Sequence, residues 1–515
     1  MSAKLNLFLS PETETMKPNL SLLTTGALAL AASTATAQYA PPPPTQPFPG
    51  FANQYLRAQD PYWSNWDFGA QLRLRYEIKD NGGFTATGAA ADFRKSVSTG
   101  AAGTDNDNSY FMSKLLVRAG YTDKWWSAFL QGRQSTTTGD DRNPNVESDG
   151  PMDLHQAYVT LGNHKEFPVS LKVGRQELSY GEERLVGAFG WNNVGRVFDA
   201  AKARWQSEHF TAEAFTGRVI IPDDNNFNKA NDYDWFSGLY VTTKAVPKQT
   251  TDFYIYSRNV STGSATANTI GLPAALQTPL NGSAPRDIYT FGVRGKSNPG
   301  ELGNWDYLYE LMGQFGHFND TARAASGQGS LEHEAYAMVL QGGYTFAAAP
   351  WTPRLSLEYS YASGDKNPTD TKHGTFENLF PTNHKFYGYM DLVSLQNIHD
   401  VRLMLTAKPT ARLSLSVEGH LFWLDSDMDN FYAVSGARRG AIASTPGTGY
   451  GLNSSYSKFV GGEIDVIAGY TLSKFASLEA GFGHFFTGSY LASTFSAIGG
   501  AQDANFFYVQ TSLNF

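Results

Sequence analysis

Residues 171–205 read LKVGRQELSYGEERLVGAFGWNNVGRVFDAAKARW, and their pattern decides the class of fold. Leu171 and Val173 alternate with Lys172, and Ala201, Ala203 and Trp205 alternate with Lys202 and Arg204. Between the two runs lies a polar, glycine-bearing stretch that carries Arg175, Glu177, Glu182, Glu183, Arg184 and Arg196. A period of two gives each strand one apolar face and one charged face. A soluble sandwich turns the charged face to water. A membrane barrel turns the apolar face to lipid and the charged face to a lumen.

Working outward, the same alternation is strongest at 65–79, where Trp66, Phe68, Ala70, Leu72, Leu74, Tyr76 and Ile78 share a face. Asp67, Gln71, Arg73, Arg75, Glu77 and Lys79 share the other. Repeated to the C-terminal run Asn505–Phe515, the pattern predicts eighteen strands. Connections after even strands are short, such as 122–124, 163–167, 246–249, 408–410 and 472–474. Those after odd strands are long: 80–108, 138–152, 178–196, 261–285, 364–396 and 426–456. Short turns on one side and long loops on the other are the asymmetry of an outer-membrane barrel, periplasm against exterior. The long loops are rich in Gly, Asn, Asp, Ser and Thr, so solvated loops are expected.

Composition agrees. Aromatics make up 14% of 515 residues and charged residues only 17%, and no run of eighteen apolar residues exists beyond the N-terminus. Membrane-spanning helices are therefore not expected after residue 37. The absence of cysteine excludes disulfides and thiolate metal sites. Residues 1–37 read as a secretory signal, with translation starting at Met1 or Met16, Lys17 as its charge and Ala35-Thr36-Ala37 before the cut. Residues 38–64, with four consecutive prolines, read as a periplasmic linker, and 65–515 as the barrel. A Gram-negative outer membrane is the expected location, its lipid the expected surroundings, and a monomer the expected state.

Several short motifs, in consistent order over about 150–515, resemble the alginate export family of outer-membrane proteins. They are Ala157-Tyr158-Val159, Gly174-Arg175-Gln176, Trp191-Asn192-Asn193, Tyr361 to Asp365, Ser394 to Asn397 and Phe422-Trp423 with Asp425, Asp427 and Asp429. Glu463-Ile464-Asp465 and the ending Phe506 to Phe515 complete the set. The resemblance implies an eighteen-stranded antiparallel barrel that passes an anionic polysaccharide outward, with periplasmic polysaccharide-export proteins as partners. The chain departs from the family at His155-Gln156 and at the tight turn Leu472-Ser473-Lys474.

A polymer of uronic acids needs inward-facing cations, and arginine suits carboxylate because its planar fork binds in two places. The expected pore-lining residues are Arg73, Arg75, Arg118, Arg133, Arg175, Lys202, Arg204 and Arg402. Arg175 falls out of parity with its strand, so the chain must already be turning there, and its candidacy comes from the family motif. Lumen partners are on hand in Glu77, Glu213, Glu310, Glu358, Glu418 and Glu463, so each arginine is either a binding group or half of a structural pair. Asp425, Asp427 and Asp429 are spaced for a calcium ion or for a solvated loop. Catalytic signatures are lacking: no His-x-x-x-His pair with a nearby carboxylate and no Gly-x-Ser-x-Gly elbow occurs. No enzyme, cofactor or nucleic-acid role is expected. Two functions stay open, an exporter of anionic, alginate-like polysaccharide and a passive porin for small anions or oligosaccharides.

Overall fold

The computed structural model describes residues 51–82, 92–94, 107–141, 147–163, 166–223, 226–261, 284–319, 329–439 and 445–515. The predicted signal segment and residues 38–50 of the predicted linker lie outside them. The strands are β1 (Trp66–Asp80), β2 (Asn108–Thr122), β3 (Trp126–Thr138), β4 (Asp149–Leu161), β5 (Val169–Gln176) and β6 (Phe198–Gln206). Next come β7 (Phe210–Ile221), β8 (Lys229–Thr243), β9 (Gln249–Val260), β10 (Arg286–Ser297), β11 (Trp305–Phe318), β12 (Leu331–Thr345) and β13 (Arg354–Ala362). The two-residue β14 (Lys372–His373) precedes β15 (Ile398–Ala407), β16 (Leu413–Trp423), β17 (Phe459–Ser473), β18 (Ala476–Thr487) and β19 (Ala504–Asn514).

Eighteen of these run antiparallel to their sequence neighbours, and β1 pairs with β19 from Gln71↔Asn514 to Asp80↔Asn505, which closes the barrel. Only β14 is outside the wall count; it lies parallel on β12 within the long connection 363–397. Closure leaves no free sheet edge inside the membrane, as a lipid-embedded strand requires. The outward face is apolar, with Leu130, Leu161, Ile255, Phe291, Leu357 and Phe482 exposed. At the short-turn end Trp66 packs on Tyr121 at 5.0 Å and Tyr121 on Trp126 at 5.2 Å, part of an interfacial aromatic belt.

The linker expectation needs refinement. Residues Phe51–Gln59 form a helix, α1, which packs at the start of β1, beyond the end of β19. The last strand reaches only as far as Ala70, so the first residues of β1 have no partner on that side. Asn53 supplies one: its side-chain oxygen accepts the Phe68 N–H at 2.7 Å, and its amide donates to Asp67. Phe51 meets Phe475 and Phe515, ring centres 6.2 Å away in each case. An uncovered strand edge would otherwise invite another chain.

The larger departure concerns the loops. Residues 178–197, 363–397 and much of 424–439 fold into the barrel and supply its core. Leu178, Leu185, Val186, Phe376, Phe380, Tyr387, Leu395 and Phe431 are buried against inner-wall residues such as Phe198, Phe236, Tyr256, Phe422 and Tyr508. Their apolar residues are interspersed among the Gly, Asn and Asp that make the segments read as solvated. A wide barrel lumen is itself a surface to be filled, which loop composition alone does not reveal.

Candidate functional site

The loop 177–197 enters the lumen through Gly174. Its φ is +128°, and a Cβ there would sit 2.2 Å from the Ala157 carbonyl oxygen, so only glycine fits. The turn at this residue resolves the parity of Arg175: Val173 is exposed to lipid, whereas Arg175 points inward and is buried. Past the turn the loop is anchored by packing. Tyr180 stacks on Phe215 at 5.3 Å and on Tyr240 at 4.8 Å, and Val186 bridges to Phe380 of the 363–397 connection.

The far end of the loop is held differently. The Gly190 carbonyl accepts Arg73 Nη1 at 2.9 Å, Trp191 accepts Arg75 Nη1 at 2.9 Å, and Asn192 accepts Lys114 Nζ at 3.2 Å. The Asn193 carbonyl accepts Ser135 Oγ at 2.6 Å, and that of Val194 accepts Arg133 Nη1 at 2.7 Å. Five consecutive backbone oxygens thus face one row of donors on β1, β2 and β3, and four of them are met by cations. Arg75 also lies flat over the Trp191 ring, 3.8 Å from its centre.

Most of the predicted lining cations are already in ion pairs. Arg75 meets Glu77 at 2.8 Å, Arg118 meets Asp67 at 3.1 Å, and Arg133 pairs with Asp149. Lys202 and Arg204 share Glu213 at 3.1 and 3.3 Å, and Arg402 pairs with Glu418. Arg175 grips Asp199 with two bonds, 2.9 and 3.2 Å, and donates to the Leu154 and Asn228 carbonyls, so most of its fork is used. Arg73 differs: its partners are Gly190, Asn192 and Asn193 oxygens, and it makes no ion pair among the described residues. Two of the expected glutamate partners serve other donors, Glu310 taking the Tyr254 hydroxyl at 2.8 Å and Glu463 the Met390 N–H at 2.9 Å.

Sequence reasoning passed over Lys114, although it shares the parity of Arg118 in β2. It is buried and, like Arg73, makes no ion pair among the described residues. It also passed over Arg184, buried in the loop and paired with Glu358 at 2.6 Å, which only folding could bring together across 174 positions. Two of the three aspartates weighed as calcium ligands, Asp425 and Asp429, tie loops together. Asp425 accepts the Gly364 N–H at 2.9 Å, and Asp429 accepts the Asp365 N–H at 2.9 Å and the Thr375 hydroxyl at 2.6 Å. No set of three metal-ligating side chains converges among the described residues. Burial pushes the Asp429 carboxyl up to about 6, against the opposing pull of its hydrogen bonds. Between the loop tip and the other two inward loops remains a cavity of about 320 Å³, bordered by Phe189, Trp191, Arg196, Arg258, Glu377 and Tyr432.

A closed antiparallel barrel with an apolar belt outside and a charged, loop-constricted lumen inside is an outer-membrane channel of Gram-negative bacteria. Residues 64–500 match the family described as alginate export, and the chain belongs to that family. No curated protein matches the sequence. Solved structures share the fold at low identity. Pseudomonas aeruginosa OccK9 (OpdG) is 11% identical, over 88% of this chain and 99% of that one, with TM-score 0.53. A BenF-like porin from Pseudomonas fluorescens Pf-5 is 9% identical over 88% and 99%, TM-score 0.51. P. aeruginosa OccK2 (OpdF) in complex with glucuronate is 11% identical over 88% and 99%, TM-score 0.50.

Proposed function

We propose that the channel exports an anionic, alginate-like polysaccharide, using the cations of the lumen wall as a chain of exchangeable carboxylate contacts. The observation that carries this reading is the row formed by Arg73, Arg75, Lys114 and Arg133 across β1 to β3. Among the described residues, two of its members, Arg73 and Lys114, hydrogen-bond only to neutral oxygens, with Glu147 and Glu177 among the nearby carboxylates. Guanidinium and ammonium donors bind carboxylate more strongly than they bind a carbonyl. The paired cations, Arg118, Arg175, Lys202, Arg204 and Arg402, set the wall and its background charge. Family membership supports the polymer class, and the glucuronate bound to one structural neighbour is a single uronic acid in a barrel of the same fold.

A passive porin for small anions or oligosaccharides is the second reading, favoured by the loops that fill much of the lumen. Planar bilayer recordings separate the two. An exporter of polyanions should be anion-preferring and blocked by oligomannuronate, and the block should weaken at 1 M salt, where the Debye length is about 3 Å. Arg73→Glu should reduce both preference and block while leaving assembly intact. A cation-preferring channel, or one that oligomannuronate never blocks, would remove the polymer reading and leave the porin.

A further inference from the structure

The row of wall cations is not empty; it is occupied by the channel's own backbone. Gly190 to Val194 present five consecutive carbonyl oxygens, and every one is taken by a wall side chain. Arg73 also reaches the Asn192 carbonyl and Asn193 Oδ1, both at 3.3 Å. The segment therefore has the donor demand of an extended polymer bearing regularly placed oxygen acceptors, but it is neutral. The flat Trp191 ring completes the likeness, stacked on His384 at 3.7 Å on one side and met by Arg75 on the other.

The ends of this segment are suited to bending. Gly195 has φ +79°, and Phe189 has φ +52°, a region that a non-glycine residue enters at a cost of about 1–3 kcal/mol. Beyond them the chain is fixed by packing on one side, at Leu178, Leu185 and Val186, and by the wall strand β6 on the other. Asn192 folds its own side chain back to accept the N–H groups of Val194 and Gly195, both at 2.8 Å, so the tip keeps its local shape independently of the wall.

We propose that residues 190–194 are a built-in stand-in for the transported polymer, and that an anionic polysaccharide displaces them from the cation row to open its own path. This rests on the export reading above and adds how the site is regulated. Carboxylates are the better acceptors for Arg73 and Lys114, so exchange of loop carbonyls for polymer carboxylates is favourable at those two positions. Arg75 and Arg133 keep Glu77 and Asp149 throughout and hold the wall in shape. A neutral sugar chain offers no such exchange and leaves the tip in place.

The test uses a spin label at Gly190→Cys in the full chain. The sequence holds no other cysteine, and a Cβ at this position meets nothing within 4 Å. Without ligand the label should report a tip held against the wall. Oligomannuronate should convert the spectrum to a mobile one, whereas a neutral maltooligosaccharide of equal length should not. Arg73→Gln combined with Lys114→Gln should give the mobile spectrum with no ligand added. Bilayer recordings on the labelled protein report binding separately. Current block by oligomannuronate with an unchanged, immobile label would overturn the stand-in and keep the export reading. Mobilisation by the neutral oligosaccharide would also overturn it. Neither block nor mobilisation would take down the export reading, and the stand-in with it.

Discussion

Two parts of the loop 177–197 are held to different walls by different physics. On the β6–β9 side, Tyr180 and Val186 join Phe198, Phe215, Phe236, Tyr240, Tyr256 and Phe380 in a dry aromatic core. On the β1–β3 side, the tip is held by hydrogen bonds from Arg73, Arg75, Lys114, Arg133 and Ser135 to its carbonyls, and by bonds that Asn193 donates to Glu147 and to the Ser113 and Thr136 carbonyls. The first attachment depends on shape and volume, and no solute can replace it one contact at a time. The second includes cations, Arg73 and Lys114 among them, that an anion can compete for directly. In the proposed exchange, the first attachment is the anchor and the second the catch.

This contrast can be broken most severely at the anchor. Phe236→Ala removes a fully buried ring that meets Phe215 at 5.2 Å and Phe380 at 4.9 Å. It should cost about 3–5 kcal/mol, read as earlier unfolding in urea and loss of the heat-dependent gel shift. Retained stability would mean that the core does not carry the loop. Next in size is Arg184→Met, which leaves Glu358 buried without its closest cation. A loss of roughly 3 kcal/mol is expected. It should lie at the low end for buried pairs because Arg402 still stands 3.7 Å from Glu358. Double-mutant analysis with Glu358→Gln should recover part of it.

At the catch, Arg73→Gln should leave unfolding unchanged and lower anion preference by up to about fivefold, the equivalent of ~1 kcal/mol for a partly solvated contact. An unaltered preference would place selectivity elsewhere in the lumen. The smallest effect expected is a pH dependence at the exterior loops. Asp429 has a folded-state pKa of about 6, above the ordinary carboxylate value of 3.8, so its docked form prefers the proton. The stabilisation is complete below about 4 and is lost as pH rises through 6. Hydrogen exchange of the Asp365 and Asn430 N–H groups, corrected for intrinsic rate, should be slower at pH 5 than at pH 7. Asp429→Asn should flatten that difference.

The alternation of Trp66 to Ile78 with Asp67 to Lys79 determines, by itself, a strand with lipid on one side and a lumen on the other. Repeated through the chain with alternating short and long connections, it determines an eighteen-stranded barrel, and the eighteen wall strands follow it within a few residues. These are local properties, because a side chain's face is set by its parity along one strand. Parity also showed that Arg175 breaks the alternation of its strand; β5 nevertheless continues to Gln176, and Gly174, at positive φ within it, reverses the face. What lay beyond reach was every relation between distant segments. Whether an inward arginine is free depends on acids and carbonyls far along the chain, such as Glu358 for Arg184 and the Gly190 oxygen for Arg73. The filled lumen was hidden for the same reason, since Leu178, Phe380 and Phe431 become a core only when closure creates an interior for three loops to share. Sequence determined which way each strand residue points; only the closed barrel decided what each one meets there.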